Sequence, residues 1–167
     1  MNFAALARRL DAKELPIEAA WAYEIALSST DVDHTHLLDL VAIYFSFQDL
    51  GFAAAHGVDP EVVDFCGQRI PVLLEEASKR FGRTAEIDAW KLYVREQVEA
   101  ANVEDAEYAA LADEGSDLAI VRLQAALGSS IYRDRADALR SQLSKPRTER
   151  QRYLKSVLES PILDSGE

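Results

Sequence analysis

The stretch HTHLLDLVAIYFSFQDLGFAAAH, residues 34–56, decides the fold of this chain. Its middle carries apolar side chains on every side of a helix, which is typical of a central helix that is buried all round. The segment VAIYFSF is rich in β-branched and aromatic residues, so a buried strand is the alternative. No second strand candidate occurs in the sequence to pair with it. We therefore predict one continuous helix, ended by Gly57, at the centre of an all-α protein.

The next segment predicts a long helix that begins at Asp59 and Pro60. An aspartate side chain accepts hydrogen bonds from free N–H groups at a helix start, and proline suits the first helical turn. Gly82 is expected to end this helix, and Pro71 should kink it or split it in two. A single apolar stripe follows helical spacing through Val62, Cys66, Ile70, Leu73, Ala77 and Phe81.

The remaining sequence also reads as helices with short connections. Thr84 and Ser116 are predicted N-caps, and Pro16 is expected in the first turn of its helix. About nine helices result, and their short connections favour antiparallel hairpins. We expect either a solenoid of hairpins or a compact right-handed array, forming a single helical domain over residues 1–160, with a frayed tail at 161–167.

Residues 3–31 resemble a tetratricopeptide repeat, a pair of antiparallel helices with large and small residues at fixed offsets. The first helix of such a repeat is matched by Phe3, Leu6, Ala7 and Leu10, and the second by Ala19, Tyr23 and Ala26. One repeat length further on, the offsets of a second helix fall on Ala53, Gly57 and Pro60 and do not match. The resemblance implies a protein-binding scaffold rather than an enzyme.

Composition restricts the compartment and the class of partner. Cys66 is the only cysteine, which excludes an internal disulfide and suits a reducing compartment. The N-terminus lacks the apolar core of a signal peptide, and no apolar run approaches the ~20 residues that cross a bilayer. We expect a cytoplasmic protein that does not bind membranes.

Net charge argues against nucleic acid as a partner. The chain carries 29 acidic against 18 basic side chains, a net charge of −11, and affinity for phosphate backbones comes from Lys and Arg. The basic segment KPRTERQRYLK, residues 145–155, is a candidate patch for nucleic acid, but Tyr153 is its only aromatic platform.

Two histidines, His34 and His36, lie among carboxylates and raise the question of a metal site. On a helix, residues two apart point in nearly opposite directions, so the two imidazoles could share an ion only in an extended segment. Asp31, Asp33 and Thr35 are residue types that cap helix N-termini. We interpret the segment as a helix start, and no metal or other cofactor is predicted.

Charge alternates along the sequence in blocks. Residues 14–68 contain ten acidic residues and no Lys or Arg, and residues 96–121 contain eight acidic residues and again none. Residues 122–155 carry nine basic residues against three acids. The first acidic block could therefore form a surface that selects a basic partner. The basic final helices could dock on an acidic face of the same chain or of a second copy, so a homo-oligomer is an open alternative.

We therefore predict a non-enzymatic protein-interaction module whose acidic surface binds a basic protein or peptide. Its predicted contact residues are Glu18, Glu24, Asp31, Asp33 and Asp39. Trp21 is the predicted apolar anchor if its side chain is exposed, and a place in the core is the alternative. A small acidic immunity-type protein that occludes a toxin is the second hypothesis. A metal-dependent enzyme using His34 and His36 is the third. No catalytic residue is predicted, and Cys66 is interpreted as a buried structural thiol.

Overall fold

The computed structural model describes residues 2–127 and 130–160, and over these residues it contains helices and no strand. The predicted all-α class is confirmed. The predicted frayed tail at 161–167 lies outside the described residues. None of the described helices is long and apolar enough to cross a membrane. The helices are α1 (Phe3–Asp11), α2 (Pro16–Ala26), α3 (His34–Ser46), α4 (Leu50–Ala55), α5 (Pro60–Phe81), α6 (Ala85–Val98), α7 (Asp105–Asp113), α8 (Asp117–Leu127), a short 3₁₀-helix (Ser130–Tyr132), α9 (Arg133–Gln142) and α10 (Glu149–Glu159).

The chain forms two compact units. The first comprises Met1–Gly82 with Pro146–Tyr153, and the second comprises Arg83–Lys145 with Leu154–Glu167. The first turn of α10 therefore belongs to the first unit and the end of the same helix to the second.

Helix α3 forms the centre of the first unit. Its apolar side chains from Leu37 to Tyr44 are buried on all sides, as the sequence predicts, and Phe45 is half-buried. The helix ends earlier than expected, however, because the chain leaves the helix after Ser46 and starts α4 at Leu50. The carboxylate of Asp49 accepts a hydrogen bond from the N–H of Phe52 at 2.8 Å and caps the new helix. The prediction of one continuous helix over residues 34–56 is therefore wrong.

Helix α5 runs unbroken past Pro71, so the expected split does not occur. Pro71 lies on the exposed side of the helix, where water can satisfy the carbonyl that loses its N–H partner. Asp59 occupies the N-cap position, but its side chain accepts no capping hydrogen bond from any described residue. That part of the prediction is wrong. Gly82 ends the helix with φ +79°, as expected.

The two other predicted caps are confirmed. The hydroxyl of Thr84 accepts from the N–H of Ile87 at 3.1 Å, at the start of α6. The hydroxyl of Ser116 accepts from the N–H of Ala119 at 3.1 Å, at the start of α8. Both bonds satisfy N–H groups that a helix leaves without an internal partner.

Within the first unit, α1 packs on α2, α2 on α3, and α3 on α5. Small side chains permit close packing of the first pair, since Ala7 and Ala19 are fully buried and Ala26 nearly so. Gln48, two residues after α3, donates hydrogen bonds to the carbonyls of Tyr44 and Val63 and so ties α3 to α5.

The second unit is built on α6, α7 and α8, with α9 packed on α8. Trp90 of α6 and Tyr108 of α7 fill its core. Arg122 of α8 donates two hydrogen bonds to the carboxylate of Glu96 on α6, at 2.9 and 2.5 Å. The same guanidinium lies over the ring of Tyr108, 5.2 Å from its centroid. These contacts join all three helices through one partly buried ion pair.

Candidate functional site

The histidine segment forms a helix start, as predicted. The carboxylate of Asp33 accepts from the N–H groups of Thr35 and His36 at 2.9 and 3.2 Å. The imidazole Nδ1 of His36 lies 3.2 Å from the N–H of Asp33 and 2.8 Å from its carboxylate, which completes a capping box. His34 lies beside the ring of Phe81, with the ring centroids 6.3 Å apart. The two histidines thus have separate partners.

Burial alone would raise the pKa of Asp33, but the hydrogen bonds to its carboxylate and the nearby imidazole together have the larger effect. The hydrogen bonds from the Thr35 hydroxyl and the His36 backbone, together with the nearby imidazole, lower the pKa of Asp33 to about 2. Asp33 is therefore a charged, exposed cap. Over residues 2–127 and 130–160, no group of three or more His, Cys, Asp or Glu side chains is arranged to hold a metal ion.

Asp39 is buried, although it was predicted as a contact on the acidic surface. Its carboxylate accepts from Arg150 at 2.8 Å and from the hydroxyl of Tyr23 at 3.5 Å, and Arg8 lies 3.9 Å away. Asp39 therefore serves as an internal counter-charge for Arg150 of α10. The basic last helix docks on acidic groups of the same chain here, which is one of the two arrangements that the charge blocks suggested.

A second buried carboxylate, Asp11, supports the same docking. Its Oδ1 accepts from Arg152 at 2.5 Å and from the N–H of Glu149 at 2.8 Å. Glu149 in turn accepts from Arg152 at 2.9 Å and from the hydroxyl of Ser46 at 2.8 Å. Burial raises the pKa of Asp11 to about 6, and the neighbouring Arg152 only partly offsets this.

Glu24, another predicted contact, is half-buried and committed to an ion pair between helices. It accepts two hydrogen bonds from Arg69 of α5, each 3.0 Å long, and one from the hydroxyl of Tyr44 at 3.0 Å. Cys66 is buried nearby, and burial together with the Glu24 charge raises its pKa to about 11. Its thiol is therefore protonated at neutral pH and poorly reactive.

The predicted anchor, Trp21, is exposed. Its side chain is 73% accessible on the outer surface of α2, and Ile17, one turn earlier, is also exposed. Glu18 lies between them, exposed to solvent. Leaving an indole in water forgoes burial worth ~1.5–3 kcal/mol or more, so a large exposed aromatic marks a candidate contact surface.

Helix α5 adds two exposed apolar residues next to the Glu24–Arg69 ion pair. Phe65 precedes Arg69 by about one turn and Val72 follows it by about one turn, and they are 57% and 51% exposed. Trp21 precedes Glu24 by about one turn on α2. The ion pair joins α2 to α5, so each of these exposed apolar residues is within about one helical turn, along its own helix, of a residue of the pair. We call this surface the α2–α5 face, made of Ile17, Glu18, Trp21, Phe65 and Val72.

Exposed acidic residues lie close in sequence to Phe65 and Val72 on α5. On α5, Glu61, Asp64 and Glu75 are all exposed. Asp31, a predicted contact, is exposed before α3, where it accepts from Asn2 at 3.4 Å.

Sequence reasoning missed Phe65 and Val72. The detectable signal was a second apolar stripe on α5, running through Val62, Phe65 and Val72 at steps of three and seven residues. The predicted stripe faces the core through Cys66, Ile70, Leu73 and Ala77, but its first member, Val62, is 44% exposed, so that part of the prediction is wrong. A helix with two apolar stripes can bury one of them against the core while the other stays exposed to solvent.

No protein-family model, curated protein or solved structure matches this chain.

Proposed function

We propose that this protein is a non-enzymatic interaction module that binds a basic protein or peptide through the α2–α5 face. The observation that carries the proposal is the exposure of Trp21, Phe65 and Val72 on two helices that the Glu24–Arg69 ion pair joins. Binding energy at protein interfaces is concentrated in a few aromatic and arginine anchors surrounded by polar contacts. The α2–α5 face has this composition.

Charge supports a basic partner. Glu18 is exposed next to Ile17 on α2, and Glu61 and Asp64 are exposed on the first turns of α5, whereas Arg69 is neutralised by Glu24. A surface of one sign accelerates encounter with a partner of the opposite sign and disfavours partners of like sign. The partner should therefore present Lys or Arg around an apolar centre.

Among the predicted contacts, Trp21 and Glu18 carry the proposal. Glu24 acts through Arg69, because the ion pair holds α2 and α5 together beneath the face. Asp31 and Asp33 are exposed and remain candidates at the edge, whereas Asp39 is buried and takes no part. The resemblance of residues 3–31 to a tetratricopeptide repeat agrees with a scaffold role.

The experiment compares proteins retained by immobilised wild type, by a Trp21→Ala, Phe65→Ala variant and by a Leu50→Ala control. Leu50 is 79% exposed on α4, so its truncation removes exposed apolar area outside the α2–α5 face. We expect a specific partner on wild type and on the control, and its loss from the double variant. The partner should also elute as salt rises, since exposed charge pairs are screened.

A charge-reversal variant tests the electrostatic part of the proposal separately. Glu18→Lys should weaken partner binding without unfolding the chain, because this exposed glutamate lies outside the core. Equal recovery of the same partner on wild type and on the double variant would refute the α2–α5 face as the binding site. Retention that does not depend on salt, or on the sign of residue 18, would refute the charge argument.

A further inference from the structure

A second surface of the first unit has the opposite charge. A cavity of about 440 Å³ lies between α1 and the start of α10. Four arginines line it, namely Arg8, Arg9, Arg147 and Arg150. Asp39 is the only carboxylate among its lining residues. Such a concentration of positive charge stands out in a chain whose net charge is −11.

The single carboxylate neutralises only part of this charge. Arg150 donates to Asp39 at 2.8 Å, so the negative charge of this carboxylate is balanced by Arg150. Arg8 donates to the hydroxyl of Thr35 at 2.5 Å, and its Nε lies 3.9 Å from Asp39. Arg9 and Arg147 are exposed, and no described side chain pairs with either guanidinium. Three positive charges therefore remain around one small cavity.

Like charges held close together repel, and a bound anion relieves that repulsion. The guanidinium forks of Arg9 and Arg147 come from two different segments of the chain, one on α1 and one before α10. Thr35 and Gln151 add uncharged polar groups to the lining. The Thr35 hydroxyl already donates to Asp33 at 2.6 Å, so the neutral donor of the lining is the side-chain amide of Gln151. The cavity thus offers charged donors from several directions and one neutral donor beside them.

We propose that this arginine-lined pocket binds a phosphate group of a small anionic ligand. A phosphate presents oxygens in a tetrahedral arrangement and carries up to two charges, so it can accept from several guanidinium groups at once. A planar carboxylate suits one guanidinium fork. The volume falls within the ~300–1,000 Å³ of small-molecule sites, which suits a phosphorylated metabolite or a pyrophosphate group.

The probes are potassium pyrophosphate and inorganic phosphate, with citrate as a multivalent carboxylate, compared by calorimetry at matched ionic strength. The pocket variant is Arg9→Ala, Arg147→Ala. The control is Arg95→Ala, Arg133→Ala, which removes the same charge from exposed positions outside the pocket. We expect the pyrophosphate dissociation constant to rise about tenfold or more in the pocket variant, through loss of charge-assisted hydrogen bonds, and to stay within about twofold in the control.

A second readout uses the wild-type protein alone. Pyrophosphate should shift the backbone amide signals of Thr35 and Gln151 in a heteronuclear NMR titration. Equal weakening in the pocket variant and the control, or amide shifts confined to other residues, would overturn the proposal. Citrate binding as tight as pyrophosphate binding would overturn the assignment to phosphate. This pocket and the α2–α5 face share no residue, so the experiments on one can refute it without affecting the other.

Discussion

Arg152 on the last helix donates a 2.5 Å hydrogen bond to Asp11 at the end of the first helix, 141 positions away in the chain. Asp11 has no exposed surface, and its carboxylate forms an ion pair with Arg152. Its second oxygen, Oδ2, has no hydrogen-bond partner among the described residues. The start of α10 therefore completes the core of the first unit by balancing a buried charge.

Removing the cation should destabilise the protein strongly. Arg152→Met leaves Asp11 buried without a counter-charge and should lower the free energy of unfolding by about 3–5 kcal/mol well above the Asp11 pKa. Arg140→Met is the control, because Arg140 pairs with Asp137 on the surface of α9, where a pair is worth about 0–1 kcal/mol. Urea denaturation measures both. A loss in Arg152→Met no larger than that of the control would contradict the buried pair.

The Asp11 pKa predicts a pH dependence of stability. Burial raises this pKa from 3.8 to about 6 in the folded chain, so the folded state binds more protons than the unfolded state between these values. The contribution of Asp11 to stability is then complete below pH 3.8 and is lost as pH rises through about 6. The change should approach about 3 kcal/mol, since each unit of pKa corresponds to about 1.4 kcal/mol.

Asp11→Asn removes the titrating group and keeps its size. The difference in unfolding free energy between wild type and this variant, followed by urea denaturation across the acidic range, should therefore fall as pH rises. A difference that is constant with pH would show that Asp11 ionises as it does in the unfolded chain.

The stability that the Asp33 cap contributes should depend on pH in the opposite direction from that of Asp11. Asp33→Ala should cost about 1–2 kcal/mol, because the N–H groups of Thr35 and His36 lose their acceptor. Asp59→Ala, which removes an N-cap aspartate without a capping bond, should cost only a few tenths of a kcal/mol. The pKa of Asp33 is lowered to about 2, so its contribution is present above pH 3.8 and is lost as pH falls toward 2. Thermal denaturation of both variants at neutral and acidic pH checks this.

Gly67 should show coupling to Gln48. A methyl group added at Gly67 would lie 2.8 Å from Oε1 of Gln48, whose amide already holds two hydrogen bonds. In the interior of a helix, Gly→Ala gains about 1 kcal/mol when nothing obstructs it. We expect Gly67→Ala to give no gain alone and the full gain in a Gln48→Ala background, a coupling of about 1–2 kcal/mol. Additive effects in the double-mutant cycle would contradict the contact.

In the second unit, Arg122 should not tolerate replacement by lysine. Its guanidinium joins Glu96 through two hydrogen bonds and lies over the ring of Tyr108, and an ammonium group can reproduce neither geometry. Arg122→Lys should lower stability by about 2 kcal/mol. Arg133→Lys, at an exposed position, is the matched control and should change stability little. Equal melting temperatures for the two variants would refute a structural role for the ion pair.

The sequence by itself determined the helices and most of their ends. Caps such as Asp33, Thr84 and Ser116 act on N–H groups two or three residues away, so the local sequence contains the whole interaction. The break before α4 could be anticipated less well, since Asp49 and Gly51 are weak signals inside an apolar run. The burial of α3 also followed from sequence, because a helix that is apolar all round has no polar side to expose.

Only the tertiary structure decided which charges face water. Asp39 and Glu18 belong to the same acidic block, yet Asp39 is buried against Arg150 while Glu18 is exposed beside Trp21. Likewise, Arg9 and Arg147 come together from opposite ends of the chain to line one pocket. The free energy of a buried charge depends on partners more than a hundred residues away, and local propensity and charge counts along the chain do not contain that information.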